Sequence, residues 1–413
     1  MVSIGVLGYG VVGSGVVELI QRNIGNLPSK IGDDLSVQKI LVRNMGKYKE
    51  NQNLLTDKFE ELLNEDIQII VEVMGGLNPA YHYVKKALEM KKHVVTANKD
   101  LIAAYGDELS GIAENNGVTL AYEASVGGGI PILRPIGESL AANEISQIVA
   151  ILNGTTNFIL TKMYEENRSY EDALKEAQAL GFAEANPESD VMGYDAARKL
   201  AILSAIAYNR KIDWQEIPTE GICQLDKEDM DYARKQGCTI KLLAMSHMTD
   251  KGLYGAVRPV LVPSGGSLGK IENEFNGIFI KGDAVGEMMF TGKGAGKLPT
   301  ASAVLGDIVH IIQNNKKEKK ACTREKISVT GLWDMPGNWF LRIQTSERYK
   351  MMAVLGQLFQ TCNIFAEEEK ERGEVAVVVE VKNEEELNEK IEYLQSKLGI
   401  MNVKKIMKLG EKA

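Results

Sequence analysis

The 413 residues are too many for one ordinary hydrophobic core and predict two or three domains. With 44% apolar and 25% charged residues the chain has a globular profile, and no apolar run is long enough to cross a bilayer. The net charge of −8 speaks against nucleic acid as a main partner.

The opening Met1-Val2-Ser3-Ile4-Gly5 runs straight into a strand-like pattern with no basic leader, which predicts a cytoplasmic protein. The first 125 residues then alternate. Strands are predicted at Ser3–Leu7, Val37–Arg43, Ile67–Val73, His93–Ala97 and Val118–Tyr122, with helices at Val11–Ile20, Tyr81–Met90 and Leu101–Asn115. Continuous apolar strands separated by amphipathic helices imply a parallel sheet covered on both faces. From about 130 to 300 the pattern becomes mixed α+β, with strands at Ile145–Asn153 and Tyr254–Pro263 and helices at Tyr170–Leu180 and Ala196–Tyr208. Gln313–Lys326, rich in lysine, reads as a solvated linker. The tail repeats strand, helix, strand, strand, helix, strand over Trp339–Thr345, Tyr349–Gln360, Ile364–Glu369, Val375–Val381, Glu384–Leu398 and Val403–Leu409, with a turn at Arg372-Gly373. That order packs two helices on one face of a four-stranded antiparallel sheet, a ferredoxin-like arrangement. The domains expected are 1–130 with 297–320 returning to it, 131–296, and 327–413.

Gly8-Tyr9-Gly10-Val11-Val12-Gly13 is a G-x-G-x-x-G between a strand and a helix. The first glycine permits a tight turn, the second lets backbone approach a pyrophosphate, and the third lets helix and strand pack closely. The bland alternative is a glycine-rich turn without a ligand. An acid at the end of the second strand would bond a ribose hydroxyl, but that strand ends Leu41-Val42-Arg43, with Lys47 and Lys49 following. Arg43 is suited to a 2′-phosphate, so the coenzyme expected is NADP(H), with NAD as the alternative. A plain surface arginine is the competing reading.

Three further segments are unusual for plain structure. Val94–Lys99 ends the fourth strand, where ligands sit in such sheets. Glu123–Pro131 carries three successive glycines, which let bare carbonyls and amides turn toward a ligand or ion. Gly181–Lys199 contains Glu184, Asp190, Asp195 and Lys199, and the last two share a helix face. Taken alone, that spacing is explained somewhat better by an ordinary intrahelical ion pair. The four cysteines, Cys223, Cys238, Cys322 and Cys362, form no C-x-x-C, and the four histidines, His82, His93, His247 and His310, form no H-x-x-x-H. Zinc sites and a histidine base are therefore not expected.

Together these segments resemble homoserine dehydrogenase. The resemblance extends to about residue 312 and rests on the Gly8 motif, Gly75-Gly76-x-x-Pro79, Thr96-Ala97-Asn98-Lys99, Asn153-Gly154-Thr155-Thr156-Asn157, Gly181–Glu184 with Asp195–Lys199, Gly282–Gly286, and Gly294-Ala295-Gly296 with Pro299–Ser302. It implies reversible NAD(P)H-dependent reduction of L-aspartate 4-semialdehyde to L-homoserine, with Lys199 and Lys99 as catalytic residues. It assigns the substrate to Glu184 and Asp195 with Asp190 in support, and the coenzyme to Gly8, Gly10, Val11, Val12, Gly13, Arg43, Gly75, Lys99 and Gly296. It further implies a structural sodium ion on Glu123 and the carbonyls of Val126, Gly128 and Ile130, and a homodimer or higher homo-oligomer. The rivals are another dehydrogenase of amino-acid metabolism with the same coenzyme fold, and a non-catalytic sensor of nucleotide and amino acid. The tail resembles an ACT domain, but the turn after its first strand, Thr345–Lys350, has neither the proline nor the glycine of that family, and Asp334-Met335-Pro336-Gly337 lies before the strand instead. The module reads either as an effector sensor or as a dimerising or vestigial add-on.

Overall fold

The computed structural model describes residues 1–314, 324–365 and 373–410. The predicted strand from Ile364 onward, the turn at Arg372 and most of the predicted linker fall partly outside those residues. The chain divides into two compact units: Met1–Ile148 with Arg198–Trp214 and Ile278–Ile327, and Val149–Ala197 with Gln215–Gly277 and Ser328–Ala413.

The first unit is built on β1 (Val2–Leu7), β2 (Leu35–Leu41), β3 (Leu55–Thr56), β4 (Ile69–Glu72), β5 (His93–Thr96) and β6 (Leu120–Ala121). They form one parallel sheet in the order β3-β2-β1-β4-β5-β6. β1 and β4 are nearly wholly buried, as their unbroken apolar runs require. On one face α1 (Val11–Arg22) and the helix Lys297–Asn314 close a cluster with Ile4, Val6, Ile40, Ile69 and Val71. A Cβ on Gly15 of α1 would meet Lys297 O at 2.7 Å, so these two helices touch backbone to backbone. On the other face α2 (Ala80–Glu89) and α3 (Lys99–Asn115) bury Val84, Leu88, Leu101 and Leu109 against Leu7 and Ile70. The order reverses between β1 and β4, and the crevice beyond their carboxyl ends is where such sheets take ligands.

In the second unit the helix Gly154–Glu165 packs beside Tyr170–Ala179 and Lys227–Lys235, next to a long hairpin, Cys238–Thr249 and Gly252–Pro263. The far edge of Gly252–Pro263 is covered piecemeal. Val329–Thr330 pairs with Leu253–Tyr254, Pro218 and Glu220 bond Val257, and Val260–Leu261 pairs with Met407–Lys408. The tail has the predicted order. Its strands Ile400–Lys408, Gly337–Thr345, Glu374–Val381 and Cys362–Ile364 lie side by side in that sequence, antiparallel throughout.

Two partly buried charge clusters tie the tail to its unit. Arg342 Nη1 donates to both carboxylate oxygens of Asp226, at 2.6 and 2.7 Å, and to Asp229 at 3.0 Å, while its Nε donates to Glu374 at 2.8 Å. Asp226 and Asp229 are the reciprocal cap of the helix Lys227–Lys235, and Lys404 joins them. The second cluster centres on Glu384, which accepts from Arg258, Lys405 and the Trp333 amide.

Candidate active site

The glycine motif behaves as three separate devices. Gly8 adopts φ +99°, closed to most side chains. A Cβ on Gly13 would sit 2.2 Å from Gly8 O, so the helix can approach the strand only with hydrogen there. Nothing lies within 4 Å of the Gly10 position, which leaves its backbone open to a ligand. The first amides of α1 have no partner within the helix, as at any helix start, and give that end a positive field. The adjoining cleft measures about 620 Å³ and is lined by Gly8, Tyr9, Gly10, Arg43, Lys47 and Asp57 among others. β2 stops at Leu41, so Arg43 stands just past the strand in this lining. Tyr9 is held against Tyr48, ring centres 5.2 Å apart, and its hydroxyl accepts from Asn51 Nδ2 at 2.7 Å.

Glu72, the last residue of β4, organises the crevice behind Gly75. Its carboxylate accepts from the amides of Met74 at 2.8 Å and Gly75 at 3.3 Å, and from Thr96 Oγ1 at 2.6 Å. Thr96 Oγ1 in turn accepts from the Asn98 amide at 3.0 Å. The Asn98 side chain donates to Gly76 O at 2.6 Å and accepts from Leu101 N at 3.1 Å, capping the helix that begins at Lys99. One buried carboxyl thus fixes two segments that the sequence offered separately. Burial pushes the Glu72 carboxyl above its ordinary 4.5, against the pull of those hydrogen bonds. A folded carboxyl with a raised pKa keeps a proton the unfolded chain has lost, so its contribution to stability falls as pH rises from 4.5 through the raised value. Glu72→Gln can still accept from both amides and donate to Thr96. It is expected to flatten the dependence of Tm on pH above 4.5, and melting curves whose Tm tracks the wild type at every pH would remove Glu72 from that role.

Lys99 is half-buried at the first turn of α3. Its neighbour Asp100 pairs with Arg198 at 3.2 Å, and the Arg198 guanidinium lies 4.3 Å over the Trp214 ring. This tie fastens the stretch of the helix Tyr194–Tyr208 that carries the half-buried Lys199 to the start of α3.

In the second unit Asn153 forms a bracket. Its Nδ2 donates to Asp190 Oδ1 and to Asp195 Oδ2, each at 2.8 Å. Its Oδ1 accepts from Thr156 N at 2.9 Å and caps the helix Gly154–Glu165. Asp195 is only 2% exposed. Two carboxylates converging on one amide nitrogen create a negative spot suited to a cationic group. Glu184 is exposed on the neighbouring loop, which is held by Thr155 Oγ1 donating to Phe182 O and by Gln178 donating to Glu184 O.

The loop after β6 turns through Gly127 and Gly128, at φ +71° and +56°. A Cβ on Gly128 would meet Gly294 O at 2.3 Å. The Glu123 carboxylate, 3% exposed, accepts from the amides of Ile132, Leu133 and Arg134 at 2.5 to 2.8 Å. Its side chain therefore serves the backbone that follows. Among the described residues no cluster of three or more histidine, cysteine, aspartate or glutamate side chains could hold a metal ion.

Motif reasoning passed over Glu72, which reads as the end of an apolar strand, and noted Asn153 only within a motif. A capping-type asparagine directly before Gly-Thr-Thr was the one available signal for the latter.

A parallel sheet with a glycine cradle at its reversal point and Lys99 just past the carboxyl end of β5 is the architecture of a dinucleotide-dependent oxidoreductase. Residues 8–123 match the family model described as "Homoserine dehydrogenase, NAD binding domain" and residues 131–309 the one described as "Homoserine dehydrogenase"; the chain belongs to this family. The homoserine dehydrogenase of Bacillus subtilis is 44% identical over 317 residues, covering 76% of this chain and 73% of that one. The solved structure of a homoserine dehydrogenase from Thiobacillus denitrificans superimposes with a TM-score of 0.89 at 34% identity, over 99% of this chain and 98% of that one. A hyperthermophilic archaeal homoserine dehydrogenase in complex with NADPH gives 0.65 at 27% identity, over 78% and 99%.

Proposed function

We propose that the chain catalyses the reversible interconversion of L-aspartate 4-semialdehyde and L-homoserine, the branch-point step toward threonine, methionine and isoleucine, with NADP(H) as coenzyme and NAD(H) as the alternative. The observation that carries the residue roles is the Asn153 bracket, which brings the carboxylates of Asp190 and Asp195 to one nitrogen at 2.8 Å each. An amino-acid substrate brings an α-ammonium that such a pair attracts. In this reading Glu184 and Asp195 hold the ammonium and hydroxyl ends of the substrate, and Asp190 supports them.

A reduced nicotinamide, when bound, supplies the hydride for the aldehyde carbon. Lys199 neutralises the charge that grows on the carbonyl oxygen and donates the proton that completes the alcohol. Lys99 adds positive field and orients that oxygen. Gly8, Gly10, Val11, Val12 and Gly13 cradle the pyrophosphate, with Gly75, Lys99 and Gly296 lining the rest of the coenzyme's path. The open side of Gly10 and the clear cleft beside it support this. The carbonyls of Glu123, Val126, Gly128 and Ile130 suit a sodium ion, since hard oxygen donors are what such an ion takes and the two left-handed glycines turn the loop tightly. The protein acts in the cytoplasm as a homodimer, and the tail is an ACT-like module.

Arg43 would grip the 2′-phosphate. Arg43→Ala is expected to raise KM for NADPH about tenfold or more and leave KM for NADH within about twofold, since a charge-assisted bond contributes about 1.5–3 kcal/mol. An equal change for both coenzymes would remove Arg43 from the phosphate.

The test of the activity is loss of NADPH absorbance on adding aspartate semialdehyde. Turnover only with other aldehydes or keto acids would favour a different dehydrogenase, and none at all would favour a binding protein.

A further inference from the structure

Lys241 lies in the middle of the strand Cys238–Thr249 and is 2% exposed. Burying an ammonium costs several kcal/mol unless its donors are met by acceptors. The amine is aimed at a joint. It donates to Ile271 O at 2.5 Å and to Asn157 Oδ1 at 3.1 Å. With its oxygen so engaged, Asn157 turns its Nδ2 toward the carbonyls of Ile271, Asn273 and Phe275, at 2.9 to 3.1 Å, which share its two N–H groups. Thr161 Oγ1 completes the knot, donating to Asn157 O and accepting from Asn273 N. Asn273 holds a left-handed φ of +54°, a conformation these bonds maintain.

The loop so fixed is the back wall of the Asn153 bracket. A Cβ on Gly154 would meet Glu274 O at 2.7 Å, so the first turn of the helix Gly154–Glu165 rests on the loop with no clearance. Asn153 caps that same turn, and Asn157 begins the next one, its amide donating to Asn153 O at 3.3 Å. A shift of the 271–275 loop therefore moves Asn153 and, with it, the carboxylates of Asp190 and Asp195.

We propose that Lys241 is a positioning residue for the substrate: through Asn157 and the 271–275 loop it sets the place of the Asn153 bracket. The proposal rests on Asp190 and Asp195 being the carboxylates that receive the amino acid. Lys241 touches neither substrate nor coenzyme. Thr239, Tyr164, Glu165 and Glu272 line the small cavity of about 70 Å³ beside it. Burial brings the Lys241 amine down to about 8, against the upward pull of Glu272 and Glu165. Above that pH the bond to Asn157 loses its charge assistance.

The experiment uses the full-length enzyme in the homoserine-oxidising direction. Lys241→Met keeps the bulk and removes the donors. The expected result is KM for homoserine up by about tenfold, with kcat and the dissociation constant for NADP⁺ within about twofold. The KM ratio of variant to wild type should shrink as pH rises through about 8, because the wild-type amine then loses its charge. Lys241→Met combined with Asn157→Ala should be no worse than Asn157→Ala alone. An unchanged KM, or equal losses in homoserine and coenzyme binding, would overturn the proposal. Asp195→Asn separates the two readings. A raised KM there with none in Lys241→Met sinks only the role of Lys241, and no rise in either sinks the substrate carboxylates themselves. If Lys241→Met does not fold, Thr161→Val, which cuts the other tie to Asn273, must give the same selective rise in KM or the proposal fails.

Discussion

Lys199→Ala is expected to lower kcat by about 10²–10⁴ while moving KM for the semialdehyde by no more than about threefold, because a positioned proton donor acts mainly on the transition state. The side chain is half-buried on a helix whose next four residues, Leu200 to Leu203, are almost wholly inaccessible. Truncating it removes an amine without creating a large core cavity, so activity should fall without loss of fold. The helix is held by Arg198, which pairs with Asp100 and stacks on Trp214, and neither contact involves Lys199. Lys99→Ala should give a smaller loss. The double variant should be no slower than Lys199→Ala alone, since groups that act as a unit are not additive. Steady-state kinetics with NADPH checks all three, and an unchanged kcat in Lys199→Ala would remove it from the chemistry.

Arg342→Ala should destabilise the second unit by about 3–5 kcal/mol, because breaking a buried ion pair strands the partner charges. Arg342 is 10% exposed, and its loss leaves Asp226, Asp229 and Glu374 with only part of their neutralising charge. At about 2–4 °C per kcal/mol for a unit of this size, Tm should fall by about 6–20 °C. Lys404 remains to hold Asp226 and Asp229, so the lower half of that range is the more natural outcome. Adding Asp229→Asn to Arg342→Ala should recover part of the loss by removing one stranded charge. Thermal melts followed by circular dichroism decide it. A shift under about 2 °C, the size expected of an exposed pair, would show that the cluster carries little.

The parallel sheet was legible because buried strands read as short apolar runs and the glycine motif sits at a fixed place between one of them and a helix. The tail order was legible for a similar reason, since period-two strands and charged helices alternate cleanly. What pattern cannot supply is which distant polar groups meet. Glu72 ends a run of Ile-Ile-Val and looks like the start of a loop, yet its partners Met74, Gly75 and Thr96 make it the node of the crevice. Asn153 is separated from Asp190 and Asp195 by 37 and 42 residues, and Lys241 from Asn157 by 84. Lys241 is also disguised by its setting, a single lysine in the apolar run Cys-Thr-Ile-Lys-Leu-Leu-Ala-Met, whose pattern says nothing of what the amine meets. Strand ends were displaced for local reasons: β2 begins and ends two residues early, which places Arg43 beyond the ladder. The 3.6-residue rule put Asp195 and Lys199 on one helix face correctly, but it could not say that Asp195 would answer to Asn153.

The patchwork along Gly252–Pro263 has a cost in assembly. Its amides and carbonyls on that side are satisfied by three short pieces that come from two stretches of chain, 218–220 and the residues from Val329 on. Were the tail to lift away, Leu253, Val260 and Leu261 would offer a bare ladder to the same strand of a neighbouring copy, the route by which open sheets polymerise. The tail thus covers an edge as well as packing its own core, and a chain that sheds it is expected to stack on its neighbours.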